Sequence, residues 1–578
     1  MYFKRSIYGL AAFAFAAATP AAHSASVLEF NHFVIIYQEN HSFDNLFGQW
    51  GAVNGEPVHG LSYADQSHTT QVRADGTVYS CLLQNDVNLT SPSPLPTTCT
   101  DSTGASFQSA FPNAPFKIDD YIAASDKTCP APGASAPNGV AKGAGLTGGC
   151  TKDLVHRFYS EQFQINGGLQ NRYATGSDAA GLSLGHYDTT KLPIYAALHK
   201  AGAPHYVIAD RFFQASFGGS FLNHQWLIAA ATPVFANAPN DAGSNDLHSV
   251  VDQNGMATGT PLYTNLLGSS SKDAQLTASC NPPSGRPATP ASVACGDYAI
   301  NTIQPFYQPY APGTADAKRL PPLANPTIGD RLSARGVDWA WYSGGWSNAN
   351  GDVNGPGWTN GFGPNCSDAN ANSAAVFPNC PDKLFQFHHQ PFNYFKNYAP
   401  GTAARAVHLR DEAEFVQAAK TGTLKPVSFV KLIGAENEHP GYASEPEGST
   451  HLVDLISAIV NGPNGRDTLI IITYDEFGGA WDHVPPPPYQ QRQVAEWGFF
   501  HHHLAGDWHL GAHDAWGPGT RIPALLVSKR FAISGVDHSN YDTTSILKLI
   551  EERYLLPPLS SRDASVHSLG RAIAAPWR

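Results

Sequence analysis

The sequence predicts an α/β protein built on a central mixed, mostly parallel sheet flanked by helices. Three observations lead there. Short apolar runs recur at Phe33–Tyr37, Tyr206–Ala209, Val427–Ile433 and Leu469–Ile472. Runs of this kind read as strands buried on both faces, as parallel sheets require. Helical stretches lie between and after them, at Leu192–His199, Thr327–Ala334, Thr450–Asn461 and Thr543–Leu556. Polar clusters follow the runs, and open α/β sheets place ligands beyond the carboxyl ends of their strands.

The chain opens with Lys4 and Arg5, continues with apolar Ile7–Thr19, and then has small residues from Ala21 to Ser26. That is the layout of a secretory signal, too short to span a bilayer. Residues 1–25 are therefore set apart, and export to the periplasm or the medium is expected. Residues 26–578 are expected to form a single domain. Loop insertions rich in Gly, Pro, Ser and Asn fall near 51–168, 239–323 and 351–380. No later run reaches the ~20 apolar residues of a membrane helix, so no membrane insertion is expected.

Net charge is −12, and charged residues make up only 14% of the chain. An acidic chain without a basic run is a poor nucleic-acid binder. The eight cysteines fall into neighbouring pairs: Cys81 with Cys99, Cys129 with Cys150, Cys280 with Cys295, and Cys366 with Cys380. None has the close spacing of a zinc ribbon or a redox motif. Four disulfides pinning the loops are expected, and nearest-neighbour pairing is one connectivity among many.

The chemistry gathers at the strand ends. Asp475 and Glu476 close the run Leu469–Ile472, and Asp482 and His483 follow before Pro485–Pro488. Adjacent carboxylates repel unless a cation or a proton sits between them. A metal and phosphate site is the sharp reading, and a solvated turn is the plain one. Glu39 and Asn40 follow Phe33–Tyr37 and offer oxygen ligands to a hard cation; the alternative is a helix start capped by Asn40 or Ser42. Ser220 follows Gly218-Gly219 and opens an apolar segment. There a hydroxyl sits where helix N–H groups stabilise an anion, which makes Ser220 a candidate nucleophile as well as a candidate cap. It lacks the GxSxG elbow of serine hydrolases.

Histidines supply the remaining candidates. His388-His389 can donate to phosphate or move protons, and His439 sits just past Val427–Ile433. His501–His503, with His509 and His513, read as a surface loop, with metal binding as the alternative. Trp339, Trp341, Tyr342 and Trp346 are expected to pack in the core, with a pocket wall as the alternative.

The segments HFVIIYQENHSFDNLFG, FGGSFLNH and TYDEFGGAWDHVPPP resemble the bacterial phospholipase C/acid phosphatase A superfamily, from about His32 to Leu556. The resemblance implies an alkaline-phosphatase-like fold and a phosphoesterase catalytic domain. It implies that Glu39, Asn40, Asp475 and Glu476 ligate one divalent metal together with Ser220. Oxygen ligands favour Ca²⁺, Mg²⁺ or Mn²⁺. By the same resemblance Ser220 is the nucleophile, a position held by Thr in the phospholipase C branch, and Asn223 keeps the family spacing. His388 and His389 would face the phosphate, and His439 would be the general acid. His186, in LSLGHYD, is a further pocket candidate. Asp482 and His483 either orient the metal ligands or order the turn before the proline run.

Two features select a branch. The phospholipases C of this family carry extra C-terminal β domains, whereas this chain stops soon after its last helix; and Ser replaces Thr at the nucleophile. An exported acid phosphatase acting on small phosphate monoesters through a phosphoserine is therefore expected. The alternatives are a phospholipase C acting on phosphatidylcholine-type diesters and a non-catalytic exported protein that binds a metal or an anion.

Overall fold

The computed structural model describes residues 26–574 except 74–75, 83, 85–96, 101–105, 132–133, 138, 236–297, 312–313, 317–318, 360–384 and 491–511. The expectations for the signal segment, for Cys280, Cys295, Cys366 and Cys380, and for His501–His503 and His509 lie outside the described residues.

Eight strands form the central sheet: β1 (His32–Gln38), β2 (His205–Ala209), β3 (Trp339–Ser343), β4 (Leu409–Asp411), β5 (Val427–Lys431), β6 (Thr468–Tyr474), β7 (Ala524–Ser528) and β8 (Gly535–Asp537). Their spatial order is β4-β3-β5-β1-β6-β7-β2-β8. Every neighbouring pair is parallel except those involving β7, which runs antiparallel to β6 and to β2. The mixed, mostly parallel sheet is thus as expected. β3, β5, β6 and β7 are buried along their whole length, which explains why they read as continuous apolar runs rather than alternating ones.

Helices flank the sheet: α1 (Phe43–Phe47), α2 (Pro193–His199), α3 (Ser220–Ala229), α4 (Ile328–Ala334), α5 (Glu412–Thr421), α6 (Glu445–Asn461) and α7 (Thr544–Tyr554). α6 begins at Glu445 rather than at Thr450. Ser444 caps it by accepting from the Glu447 N–H, and Pro446 falls in the first turn. Proline is tolerated there because its missing N–H would have no helical partner.

Trp339, Trp341 and Trp346 are fully enclosed in the core, as the packing expectation has it. Cys81–Cys99 and Cys129–Cys150 form disulfides. The segment read as loops near 51–168 also contains short hairpins and a helix at Phe158–Ile165. Among the described residues no helix is long and apolar enough to cross a membrane.

Candidate active site

β1 and β6 lie side by side, with Gln38 opposite Tyr474, so the residues just beyond them emerge together. Backbone bonds lock the exits: the Asp475 N–H donates to the Gln38 carbonyl at 3.0 Å, and the Glu39 N–H to the Asn437 carbonyl at 3.1 Å. The Asn40 N–H then reaches Asp475 Oδ1 at 3.3 Å. Asn40 adopts φ 61°, a left-handed conformation that is uncommon outside glycine and that clusters at functional sites. A Cβ on Gly478 would come within 2.2 Å of the Asn40 carbonyl. This glycine, two residues after Glu476, is therefore what allows the two acidic loops to approach.

Ser220 is the first residue of α3, with Gly219 at the cap position. It opens the helix rather than capping it, so its hydroxyl is free to turn into the site. Its Oγ donates toward Glu39 Oε2 at 3.2 Å and toward Asn40 Oδ1 at 3.4 Å. Asn40 Nδ2 in turn lies 2.7 Å from His439 Nε2. The Nδ1 of His439 lies 2.6 Å from the Pro440 carbonyl, so the ring proton belongs on Nδ1 and Nε2 faces the site. His389 Nε2 is 3.1 Å from Glu39 Oε1. His388 lies beside it, the two rings 4.4 Å apart.

The acidic groups carry the signature of a missing partner. Asp475 Oδ2 and Glu476 Oε1 are buried and accept no hydrogen bond. Burial pushes the Glu39 and Glu476 carboxyls well above the usual carboxylate range, and Asp475 adds to both shifts. Burial likewise depresses His224, His389 and His439, and takes His388 down to about 3. Buried acids with oxygens that accept no hydrogen bond, ringed by neutral imidazoles, fit a bound cation. Glu39, His224 and His389 present ligand atoms within 4.8 Å of one another, as do Asp153, His156 and His439. Imidazoles therefore stand beside the oxygen groups named from the sequence.

Four residues of the site have no counterpart among the sequence candidates. Lys431, at the end of β5, is buried and pairs with Glu39. His224 lies one helical turn after Ser220, its Nδ1 2.7 Å from the Ser220 carbonyl and 3.7 Å from Asp475 Oδ2; its ring stacks on that of His389. His156 points Nε2 at Glu476 Oε1, 3.6 Å away. Asp153 lies 3.4 Å from the other nitrogen of the same ring.

The remaining candidates are placed elsewhere. Asn223 braces the loop before Ser220: its Oδ1 accepts from the Ser216 N–H at 2.9 Å, and its Nδ2 donates to the Ser216 and Gly218 carbonyls. His186 sits in a short ladder beside Lys117, its Nδ1 3.3 Å from the Tyr187 carbonyl rather than at the acidic pairs. Asp482 and His483 join Asp44 and Arg521 in a buried ionic cluster. There Asp482 also accepts the Asp44 and Val484 N–H groups.

The family model for the phosphoesterase family matches residues 30–557. A non-hemolytic phospholipase C of Burkholderia pseudomallei is 31% identical over 182 residues, 28% of this chain and 25% of the relative. Phospholipase C B of Mycobacterium tuberculosis is 29% identical over 157 residues, 26% of this chain and 30% of the relative. The non-specific phospholipase C6 of Arabidopsis thaliana is 28% identical over 118 residues, 19% of this chain and 21% of the relative. The aligned stretches thus span less than a third of each of these relatives. The match of the family model, by contrast, runs from the start of β1 to beyond the end of α7. The chain belongs to the phosphoesterase family.

Proposed function

We propose that the protein is an exported, metal-dependent hydrolase of phosphoric esters that works through a phosphoserine at Ser220. The proposal includes an alkaline-phosphatase-like fold formed by one catalytic domain over residues 26–578. One observation carries the reading: the Ser220 hydroxyl lies 3.2 Å from Glu39 within a ring of buried acids, two of whose oxygens accept no hydrogen bond. A protein that merely binds a cation has no need of a hydroxyl at that position.

Glu39, Asn40, Asp475 and Glu476 would hold the cation beside Ser220, with His224 and His389 as nitrogen donors. When bound, a divalent ion favours the alkoxide of a nearby hydroxyl and offsets charge on a phosphoryl group. Ser220 Oγ gives up its proton to solvent water and attacks phosphorus in line; the Oγ–P bond forms as the bond to the leaving oxygen breaks. His388, His389 and His156 face the non-bridging oxygens as hydrogen-bond donors. Substrate displaces the Asn40 amide from His439 Nε2, which then takes up a proton from solvent and passes it to the leaving oxygen. Water then hydrolyses the phosphoserine.

The relatives are phospholipases C, which favours a phospholipid diester over the monoester expected from the sequence. Ser220 supports the monoester reading, because the resemblance gives the phospholipase C branch a Thr there. Hydrolysis of p-nitrophenyl phosphate and of phosphatidylcholine, each with and without chelator, tests both. Loss of activity with chelator supports the common mechanism, and the ratio of the two rates assigns the substrate class. Full activity of Ser220→Ala on both substrates would end the proposal.

A further inference from the structure

Glu161 lies in the helix Phe158–Ile165, is fully buried, and has no place in the chemistry above. Its carboxylate is surrounded only by donors. Oε2 accepts from the Gly218 N–H at 2.5 Å and from Gln214 Nε2 at 3.0 Å. Oε1 accepts from the Thr520 N–H at 2.6 Å and from Thr520 Oγ at 2.8 Å. Gly519, just before Thr520, admits this approach: a Cβ there would fall 2.5 Å from Glu161 Oε1. Gln214 extends the contact in two directions. Its Nε2 also donates to the Ser216 and Gly218 carbonyls, and its Oε1 accepts the Phe477 N–H at 2.9 Å. Phe477 directly follows Glu476. Glu161 and Gln214 therefore join the loop that delivers Ser220 to the loop that delivers Asp475 and Glu476.

We infer that Glu161 is a positioning residue for catalysis, which fixes Gly218 and hence the Ser220 hydroxyl relative to the acidic loops. This rests on the reading of Ser220 as the nucleophile. The role needs four accepting lone pairs, which only a carboxylate offers in this shape. A glutamine of the same size must turn its NH₂ toward one end, where it meets either Gly218 and Gln214 or Thr520, all of them donors. A buried donor facing a donor costs at least the lost bond, and the cheapest relief is movement of the Gly218 loop. Misplacing a nucleophile by about 1 Å costs on the order of 10²-fold in rate.

The test compares Glu161→Gln, Thr520→Val and Ser220→Ala with the intact protein, using p-nitrophenyl phosphate and the melting temperature of each. Glu161→Gln should lower kcat by at least ~10-fold with KM changed less than ~3-fold, reflecting bound but misaligned substrate. Thr520→Val, which removes a single donor, should stay folded and lower kcat by a few-fold. A purely structural role would lower the melting temperature and leave kcat of the folded protein unchanged; that result, in Glu161→Gln or, if it does not fold, in Thr520→Val, overturns the inference. The two readings separate cleanly. An active Ser220→Ala removes the nucleophile assignment, whereas an inactive Ser220→Ala beside a fully active Glu161→Gln removes only the positioning role.

Discussion

Ser220 Oγ lies 3.2 Å from Glu39 Oε2, although 181 residues separate them in the chain. The sheet makes that meeting possible. Glu39 leaves β1 at the sheet centre, and α3 starts at Ser220 with its N-terminus turned to the same edge. Asp475 leaves the adjacent strand. A hydroxyl, two acidic loops and several imidazoles are thereby brought into one enclosed volume.

Metal removal should act on stability as well as on rate. A cation that binds only the folded state stabilises it by mass action. Dialysis against chelator should lower the melting temperature of the intact protein and abolish hydrolysis, and added divalent ion should restore both. Asp475→Asn should shrink the chelator-induced shift. An unchanged melting temperature on chelation would place no cation among these acids.

His439→Ala should discriminate between leaving groups. General acids contribute roughly 10²–10⁴-fold when the leaving oxygen is basic. Alkyl phosphates should therefore lose far more rate than p-nitrophenyl phosphate, whose leaving group needs little protonation. Equal losses on the two substrates would remove His439 from that role.

The long central strands and the acidic candidates beyond their ends are legible in the sequence because they share one cause, whereas the three-residue β4 and β8 are too short to show a pattern. Strands buried on both faces are mostly apolar, and the polar residues that follow them stand at the sheet edge, so Glu39, Asn40, Asp475 and Glu476 stand out. Lys431 leaves a signal that is clear only with the fold in view: a lysine in a fully buried strand must find a counter-charge, and it finds Glu39. His224 is within reach of helical spacing, four residues after Ser220 and so on the same face. His156 and Glu161 fall in or beside a Gly- and Pro-rich stretch without periodicity. Only tertiary contacts bring them to the site, and nothing local announces them.

Arg521→Met should destabilise the fold strongly. Arg521 is completely buried, donates to both Asp44 and Asp482, and bonds the His59 and Asp210 carbonyls. Removing one partner of a buried ionic cluster typically costs about 3–5 kcal/mol, because the remaining charges stay enclosed. Denaturant titration measures this, and a loss below about 1 kcal/mol would show that the cluster contributes little, since a loss of that size is typical of exposed pairs.

His538 should make stability depend on pH. Burial opposes its charged form, but Asp210 at 2.9 Å and Glu56 at 3.1 Å outweigh burial and raise it to about 9. A folded value above the unfolded ~6.5 means that the imidazolium stabilises the fold fully below that point. The contribution fades as pH rises through about 9 and is worth at most ~3 kcal/mol by linkage. Denaturation of the intact protein and of His538→Gln at acidic and alkaline pH should show the gap between them closing as pH rises. A constant gap would contradict the assignment.

The most direct test is to trap the covalent state. Mixing the protein with p-nitrophenyl phosphate, quenching in acid and mapping peptides by mass should find phosphate on the Ser220 peptide. Ser220→Ala should carry none and should lose at least ~10³-fold in turnover while keeping its melting temperature. Absence of the phosphopeptide from the intact enzyme, together with near-normal turnover by Ser220→Ala, would contradict the account.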